Sequence, residues 1–466
     1  MRIIDAVTAV LVCNGEIYLT HRQPHLTVFP GFQAFPGGKV DKTDTDHLLE
    51  HPLLASLDAR HLTALARELQ EELAFDLDAA LAAGEVLAID WLGAAISPPI
   101  ISVRFDTRFF RIDLRAKPAF TIELGELSGG EWATPAEWMA RYQRGDLLVA
   151  PPTRDVLKTL SAHPDSRRVS RLGDYSIFEG TPEIEPLHGV FQLPIPSNTL
   201  PPADRTNAFI IGDTGAARLI VDPSPANRAE FDKLCAHLVG RGISEVFLTH
   251  HHPDHRQFAN ELARHLDVPI AMSADTRMRI LKRQPTWLDG LTVRNREDGD
   301  VVTTWLGHPV RVVAVPGHDE GQLALMPDNR AWCIVGDLIQ GVGTVVISAP
   351  EGDMAKYFAT LEKVIALQPK VIWPSHGSAL GGTFYLEQTL KHRRVREAQV
   401  KSLTEAGKSV DEMLALMYPD TDPRLMPLAR MNIDSHLVKL RAEGALSCCR
   451  RLKIDQKGVR TKSWTI

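Results

Sequence analysis

Cysteine is scarce in this 466-residue chain and is not spaced for metal or redox chemistry. There are five, Cys13, Cys235, Cys333, Cys448 and Cys449, with no C-x-x-C pair. That excludes a disulfide framework and a thiolate zinc site, and it points to a reducing compartment. No aromatic-rich strip is present on which bases could stack. No apolar stretch is long enough to span a bilayer, so no membrane partner is expected. The opening MRIIDAVTAVLVCNGEIYLTHR is interrupted by Asp5 and alternates like a strand rather than a secretory leader. The chain is therefore expected to be cytoplasmic. Internal repeats and low-complexity tracts are lacking as well.

What is present fits a globular protein, with 44% hydrophobic and 24% charged residues. The length exceeds what one hydrophobic core serves, so two or three domains are expected and the predicted fold class is multidomain α/β. Residues 1–162 carry short strands (AVTAVLV, EIYLTHR), a helix around LTALARELQEELAF and a closing helix near TRDVLKTLSAH. The polar HPDSRRVSRLGD reads as a linker, placed over 163–180. Residues 181–385 alternate strands with helices: ARLIVDPS and SEVFLTH read as strands, and RAEFDKLCAHLVG has helical spacing at Phe231, Leu234, Cys235 and Leu238. Residues 386–466 read as helical, broken at YPDTDP. The formal net charge of −6 is uneven: Leu386 to Ile466 holds 16 Lys+Arg against 10 Asp+Glu, a net +6 on a body of −12. Such a tail suits an anionic partner, and a solvated helical surface accounts for it equally well.

The densest chemistry lies in LTHHHPDH, Leu248 to His255, where His250, His252, Asp254 and His255 follow a buried-strand pattern. Alternate residues at a strand end share a side, which pairs His250 with His252 and turns His251 away. Pro253 suits the first turn of a helix, read over DHRQFANELARHL, that brings Asp254 and His255 to the same point. Downstream, His318 in VVAVPGHDEGQ, Asp337 in CIVGDLI and His376 in VIWPSHG each follow an apolar strand and a small residue. A sheet whose strands end at one edge would gather all seven. Imidazole and carboxylate are zinc ligands, and catalytic zinc sites keep a position open for water.

Motif and order together resemble the metallo-β-lactamase superfamily. The resemblance implies an αββα sandwich and two Zn²⁺ or other divalent transition metals. One would be held by His250, His252 and His318, the other by Asp254, His255 and His376, with Asp337 between them and Asp254 also catalytic. Two such cations would activate water for attack on a phosphodiester or thioester. Asp222 in LIVDPS matches the superfamily's aspartate that orients ligands from behind, or is a plain strand-end turn residue. Arg256 and Gln257 stand where many relatives carry glycine; Arg256 reads as solvated or salt-bridged, or as facing an anionic substrate. Without a secretory leader, a β-lactamase is not expected.

In the first segment, ARELQEEL places Glu68, Glu71 and Glu72 on one helix face by i,i+3 and i,i+4 spacing. Three carboxylates there repel one another unless cations or solvent relieve them. With Arg67, and with the glycine turn at Gly37 and Gly38 in FPGGKVD, they resemble the Nudix box. That resemblance implies an α/β/α sandwich in which Glu68, Glu71 and Glu72 bind Mg²⁺ or Mn²⁺ for attack on a diphosphate. Two departures stand out. DKTDTDHLLEHPLLASLDARH is inserted, which leaves the box's intervening acid unassigned, and Ala74 replaces a glycine. The insertion, FPGFQAFPGGKVD and LLVAPPTRDVLKTL resemble a Nudix subgroup that hydrolyses coenzyme A derivatives.

In the tail, ARMNIDSHLVKLRAEGAL reads as the last helix, with Ile433, Leu437 and Leu440 inward and Gly444 as its stop. Together with GDLIQGVGTVVISAPEGDMAKYFATLEKV it resembles β-lactamase-like endoribonucleases related to glyoxalase II, which end in a small helical, winged-helix-like domain. This implies single-stranded RNA as a partner, which a basic tail would suit, while packing or dimerisation is the other role open to the tail. The expectation is a bifunctional metal-dependent hydrolase acting on a small-molecule diphosphate or thioester. The alternative is a single-stranded RNA endonuclease whose Nudix domain senses nucleotides without catalysis.

Overall fold

The opening strand, Arg2–Cys13, sends its side chains alternately to two cores: Val7, Ala9 and Leu11 to one, Val10 and Val12 to the other. In the computed structural model, which describes residues 2–45, 50–98, 103–175 and 180–446, this strand runs parallel to Val103–Leu114 in a six-stranded mixed sheet. The order is Gln33–Ala34, Glu16–Arg22, Arg2–Cys13, Val103–Leu114, Val86–Ile96, with Leu127–Ala133 also paired to Glu16–Arg22. The helix Ala59–Leu73 covers one face through Leu62, Leu65, Leu69 and Leu73. Helices Pro135–Gln143 and Pro151–Ala162 cover the other through Trp138, Val156, Leu157 and Leu160.

The stretch read as a linker is docked as far as residue 175; residues 176–179 lie outside the described residues. Arg111 donates to the carbonyls of Pro164 and Ser166 at 2.5 and 3.2 Å, and the Val169 N–H donates to Leu92 O at 2.8 Å. Val169 is buried, Leu172 and Tyr175 pack beside it, and the Tyr175 hydroxyl donates to Asp155 at 2.6 Å. Three apolar side chains within a polar composition suffice to bind the segment to the sheet.

Residues 184–381 form two facing sheets. The first, of seven strands, runs Val293–Asn295, Ile270–Met272, Glu245–Phe247, Leu219–Val221, Arg205–Ile211, Val190–Pro196, Ile184–Leu187. The second, of six, runs Val301–Trp305, His308–Ala314, Leu323–Pro327, Cys333–Ile334, Val371–Trp373, Leu380–Gly381. Phe209, Phe247, Trp332 and Trp373 fill the space between them. Helices Arg228–Leu238, Ala259–Leu266 and Ala274–Arg283 cover the first sheet, and Met354–Leu367 covers the second, an αββα arrangement. The single helix predicted over DHRQFANELARHL is two, Pro253–Arg256 and Ala259–Leu266. The break comes at Phe258, which takes left-handed backbone (φ 60°) and sets its ring 5.3 Å from that of Phe231.

The first domain sits directly on this sandwich. Phe32 and Leu148 join the inter-sheet core, Gly381 N–H donates to Pro30 O at 2.9 Å, and Val149 N–H donates to Pro186 O at 3.0 Å. A Cβ on Gly31 would lie 2.6 Å from Gly381 Cα, so the two backbones touch where only glycine fits. The C-terminal helices Phe384–Glu405, Val410–Met417 and Met426–Ala442 enclose their own core, with Ile433, Leu437 and Leu440 inward and Gly444 at φ 64° after the last turn. Cys448, Cys449 and the rest of 447–466 lie outside the described residues, as does +5 of the tail's +6 charge. Among the described residues, no helix is long and apolar enough to cross a membrane.

Helix Ala59–Leu73 ends on Ala74 in left-handed backbone, φ 51°, with its N–H donating to Gln70 O at 3.0 Å. A Cβ is disfavoured there by about 1 kcal/mol. Ala74→Gly is therefore expected to raise unfolding stability by about that amount in chemical denaturation; an unchanged or lowered midpoint would contradict the cap geometry.

Candidate metal centre

Strand Glu245–Phe247 is buried on all sides, and the chain leaves it through Leu248 and Thr249 into the histidines. Proline at the first helical position then turns the backbone into Pro253–Arg256, with His252 as N-cap. The result is a strand–loop–helix corner. His318 arrives from the turn after His308–Ala314, Asp337 from the turn Gly336–Leu338, and His376 from the loop after Val371–Trp373. All seven residues meet at one edge of the sandwich.

Their donor atoms form three interlocking groups within 4.8 Å: His250, His252 and His318; His250, His255 and Asp337; and Asp254, His255 and His376. Asp337 stands between them. Its Oδ2 lies 3.7 Å from His318 Nε2, and its Oδ1 lies 3.6 and 3.5 Å from the Nε2 atoms of His255 and His376. Asp254 Oδ2 is 3.6 Å from His376 Nε2 and 4.0 Å from His255 Nε2.

The outward nitrogen of each ring decides what its inward nitrogen can do. His318 Nδ1 donates to Val346 O and His376 Nδ1 to Arg205 O, both at 2.8 Å. His255 Nδ1 donates to Asp222 at 2.8 Å and His252 Nε2 to Glu351 at 3.2 Å. The Thr249 hydroxyl donates to Asp222 at 2.6 Å, so at 3.0 Å it accepts from His250 Nδ1. Five imidazoles thus turn their second nitrogens inward. His250 Nε2 and His318 Nε2 each sit 3.0 Å from His252 Nδ1, lone pair against lone pair, and His255 Nε2 and Asp337 Oδ1 are buried with no hydrogen-bond partner. This donor set fits divalent cations.

The electrostatics divide the rings into two pairs. Burial, reinforced by neighbouring rings, holds His250 well below the usual histidine range and pushes His318 down to about 4, which keeps both neutral. For His255 and His376 burial acts downward too, but is outweighed by Asp337 and Asp254, and both are raised, so a cation held by these two rings would displace a proton. Asp222 occupies left-handed backbone (φ 47°) and accepts from Thr249 N–H at 2.8 Å as well as from His255, so it lies behind the ligands.

Three further side chains brace the corner, of which Glu351 escaped the sequence reading. His251 faces away from the inward nitrogens, as alternation predicts, with Nδ1 2.7 Å from buried Asp319 and Nε2 3.5 Å from Glu351. Glu351 is also bound by Arg283 and is held well below the usual carboxylate range by hydrogen bonds from His251 and His252. It is 99 residues from His252, and no periodicity connects them. Arg256 is not solvated, and it forms no salt bridge with a described residue. It is buried, donates to His251 O and Gln284 Oε1 at 2.8 Å each, and lies over Trp287. Burial and Arg283 lower it to about 10. Its work is to lock the corner.

In the first domain, Arg67 binds Asp44 through two nitrogens at 3.0 Å each and donates at 2.9 Å to both Glu68 and Glu71. Asp44 belongs to the inserted stretch. The Glu68 carboxylate occupies the space a Cβ on Gly38 would fill, and Gly37 N–H donates to Glu72 at 2.9 Å. Among the described residues, none of the three glutamates joins a close metal-ligand group. Glu68 and Glu71 gather around a guanidinium, and Glu72 is tied to the glycine turn. A cavity of about 510 Å³ opens beside them, lined in part by Arg22, Glu68, Glu71, Glu126 and Phe29.

Comparison with known proteins places residues 201–376 in a match to the metallo-beta-lactamase superfamily and residues 409–446 in a match to the beta-lactamase associated winged helix domain. The Beta-lactamase-like protein 2 homolog of Drosophila melanogaster is 28% identical over 262 residues, 52% of this chain and 84% of the relative. The Atrochrysone carboxyl ACP thioesterase AgnL7 of Paecilomyces divaricatus is 32% identical over 200 residues, 42% of this chain and 58% of the relative. A solved beta-lactamase domain protein from Burkholderia ambifaria shares the fold, with TM-score 0.50 and 24% identity over 58% of this chain and 90% of its own.

Burial raises Glu72 from 4.5 to about 8, countered only partly by the Gly37 N–H. A group raised on folding adds stability below its unfolded pKa and loses it as pH rises through the folded one. Without divalent cations, Glu72→Gln should match the parent near pH 4 and exceed it above pH 8 by on the order of 3–5 kcal/mol. Denaturation curves across that range test this, and a difference independent of pH would refute it.

Proposed function

We propose that this protein is a metal-dependent hydrolase that cleaves a thioester or phosphodiester at the His/Asp centre, a reading supported by the matches of residues 201–376 and 409–446 to the metallo-β-lactamase superfamily and its associated winged helix domain. The observation that carries this is the convergence of five inward imidazole nitrogens on Asp337 and Asp254. We assign His250, His252 and His318 to one cation and Asp254, His255 and His376 to the other, with Asp337 shared. Bound there, Zn²⁺ or a similar cation would polarise the scissile oxygen and lower the pKa of water to about 7. Asp254, with 18% of its side chain exposed, lies where the centre meets solvent and would take a proton from the attacking water. Thr199, whose hydroxyl lies 3.5 Å from His376, stands at the same rim. Asp222 and Glu351 orient the rings from behind.

A thioester is the better-supported substrate, since one relative at 32% identity is named as an acyl-carrier-protein thioesterase. Single-stranded RNA gains less support: the described part of the tail, 386–446, has 10 basic and 9 acidic residues. Asp254→Ala is expected to lower metal-dependent thioester hydrolysis on the order of 100-fold. Undiminished hydrolysis by that variant after strict metal removal would defeat the proposal. Metal-dependent RNA cutting with inert thioesters would reassign the substrate.

For the first domain we propose a Nudix reading, with Glu68, Glu71 and Glu72 binding Mg²⁺ or Mn²⁺ and cleaving a small-molecule diphosphate. Its support is the sheet covered by helices on both faces, the Arg67 bridge, and the cavity lined by Arg22, whose Nε is buried without a partner. The oxygen-only donors suit a hard cation. The division we adopt is 1–162, a connecting segment 163–180, 181–385 and 386–466, in a cytoplasmic protein whose described cysteines Cys13, Cys235 and Cys333 are free. Glu71→Gln combined with Glu72→Gln should abolish diphosphate hydrolysis and spare thioester cleavage. Nucleotide binding by the parent without any hydrolysis would make this domain a sensor instead.

A further inference from the structure

The C-terminal helices reach the metal centre through one loop. Val346 O and the Glu351 carboxylate, which fix the rings of His318 and His252, both lie in a stretch that belongs to no strand or helix. What holds that stretch is a set of buried polar side chains from two C-terminal helices. Asn432 Oδ1 accepts from Ile347 N–H at 3.1 Å, and the Ser435 hydroxyl donates to Ile347 O at 2.6 Å. Arg393 donates to Val345 O and, at 3.1 Å, to the same Asn432 oxygen. All three are less than 9% exposed. Both neighbours of Val346 are therefore pinned by the C-terminal domain.

We propose that Arg393, Asn432 and Ser435 are positioning residues for the His250–His252–His318 cation site, acting through the loop that orients His252 and His318. This rests on the metal reading above. The other cation site draws its outer partners elsewhere: Asp222 holds His255 and Arg205 O holds His376. Loosening the loop should thus weaken one site and spare the other, which a general loss of packing would not do. Removing such outer partners typically costs 10–100-fold in metal affinity.

The test uses the full chain stripped of metal and titrated with Zn²⁺, with Co²⁺ absorption as a second readout. The parent is expected to bind two cations. Asn432→Ala should bind one of them about 10–100-fold more weakly and the other unchanged, with native circular dichroism. Ser435→Ala, which removes a single hydroxyl, should shift the same site in the same direction and decides the matter if Asn432→Ala does not fold. Leu437→Ala, which hollows the C-terminal core away from the loop, should lower stability and leave both affinities intact. Parental affinities in both polar variants, or an equal loss in Leu437→Ala, would overturn the proposal while leaving the metal reading in place. A parent that binds no cation would overturn both.

Discussion

Lone pairs held 3.0 Å apart by hydrogen bonds on the far side of each ring are the constraint around which the larger half of this protein is organised. A buried acceptor without a donor costs roughly 1–3 kcal/mol, and this centre concentrates several. The strain is sustained because the surroundings over-determine it. Asp222 ties Thr249 and His255 together from a left-handed backbone position, and carbonyls from two loops take the outer protons of His318 and His376. Whatever cations the site accepts return their binding free energy to the fold, so the site and the sandwich stabilise each other.

Much of this was legible in the sequence because four of the donors lie within six residues of one another at a strand end. Alternation separates His250 and His252 from His251, and Pro253 starts the helix that presents Asp254 and His255. His318, Asp337 and His376 were legible as the repeated pattern of apolar strand, small residue and polar residue. Of the outer partners, Asp222 was legible at its strand end and the others were not. Val346 and Arg205 contribute only carbonyls, which every residue has, and Glu351 meets His252 across 99 residues of chain. Arg256 misleads for a similar reason: its partners, a backbone carbonyl and Gln284, carry no charge to pair by eye. The polar segment after residue 163 hides Val169, whose burial docks it.

The two acidic clusters solve charge repulsion differently. In the first domain a single guanidinium, Arg67, lies among Asp44, Glu68 and Glu71, so the helix face is neutralised by the chain itself. In the sandwich, histidines surround Asp337 and share its charge among rings that burial and neighbouring groups bias in opposite directions. Oxygen atoms gathered on a guanidinium beside a glycine turn and imidazole nitrogens at a sheet edge are thus two chemically distinct environments within one polypeptide.

The seam between the first domain and the sandwich bears on how the protein can be handled and how it can evolve. Gly31 abuts Gly381, backbone bonds cross at Pro30 and Pro186, and Phe32 and Leu148 are sunk in the neighbour's core. Excising either half would uncover this apolar patch to water, so each half shields the other from aggregation. A substitution on one side of the seam, above all at Gly31 or Gly381, must therefore be matched on the other.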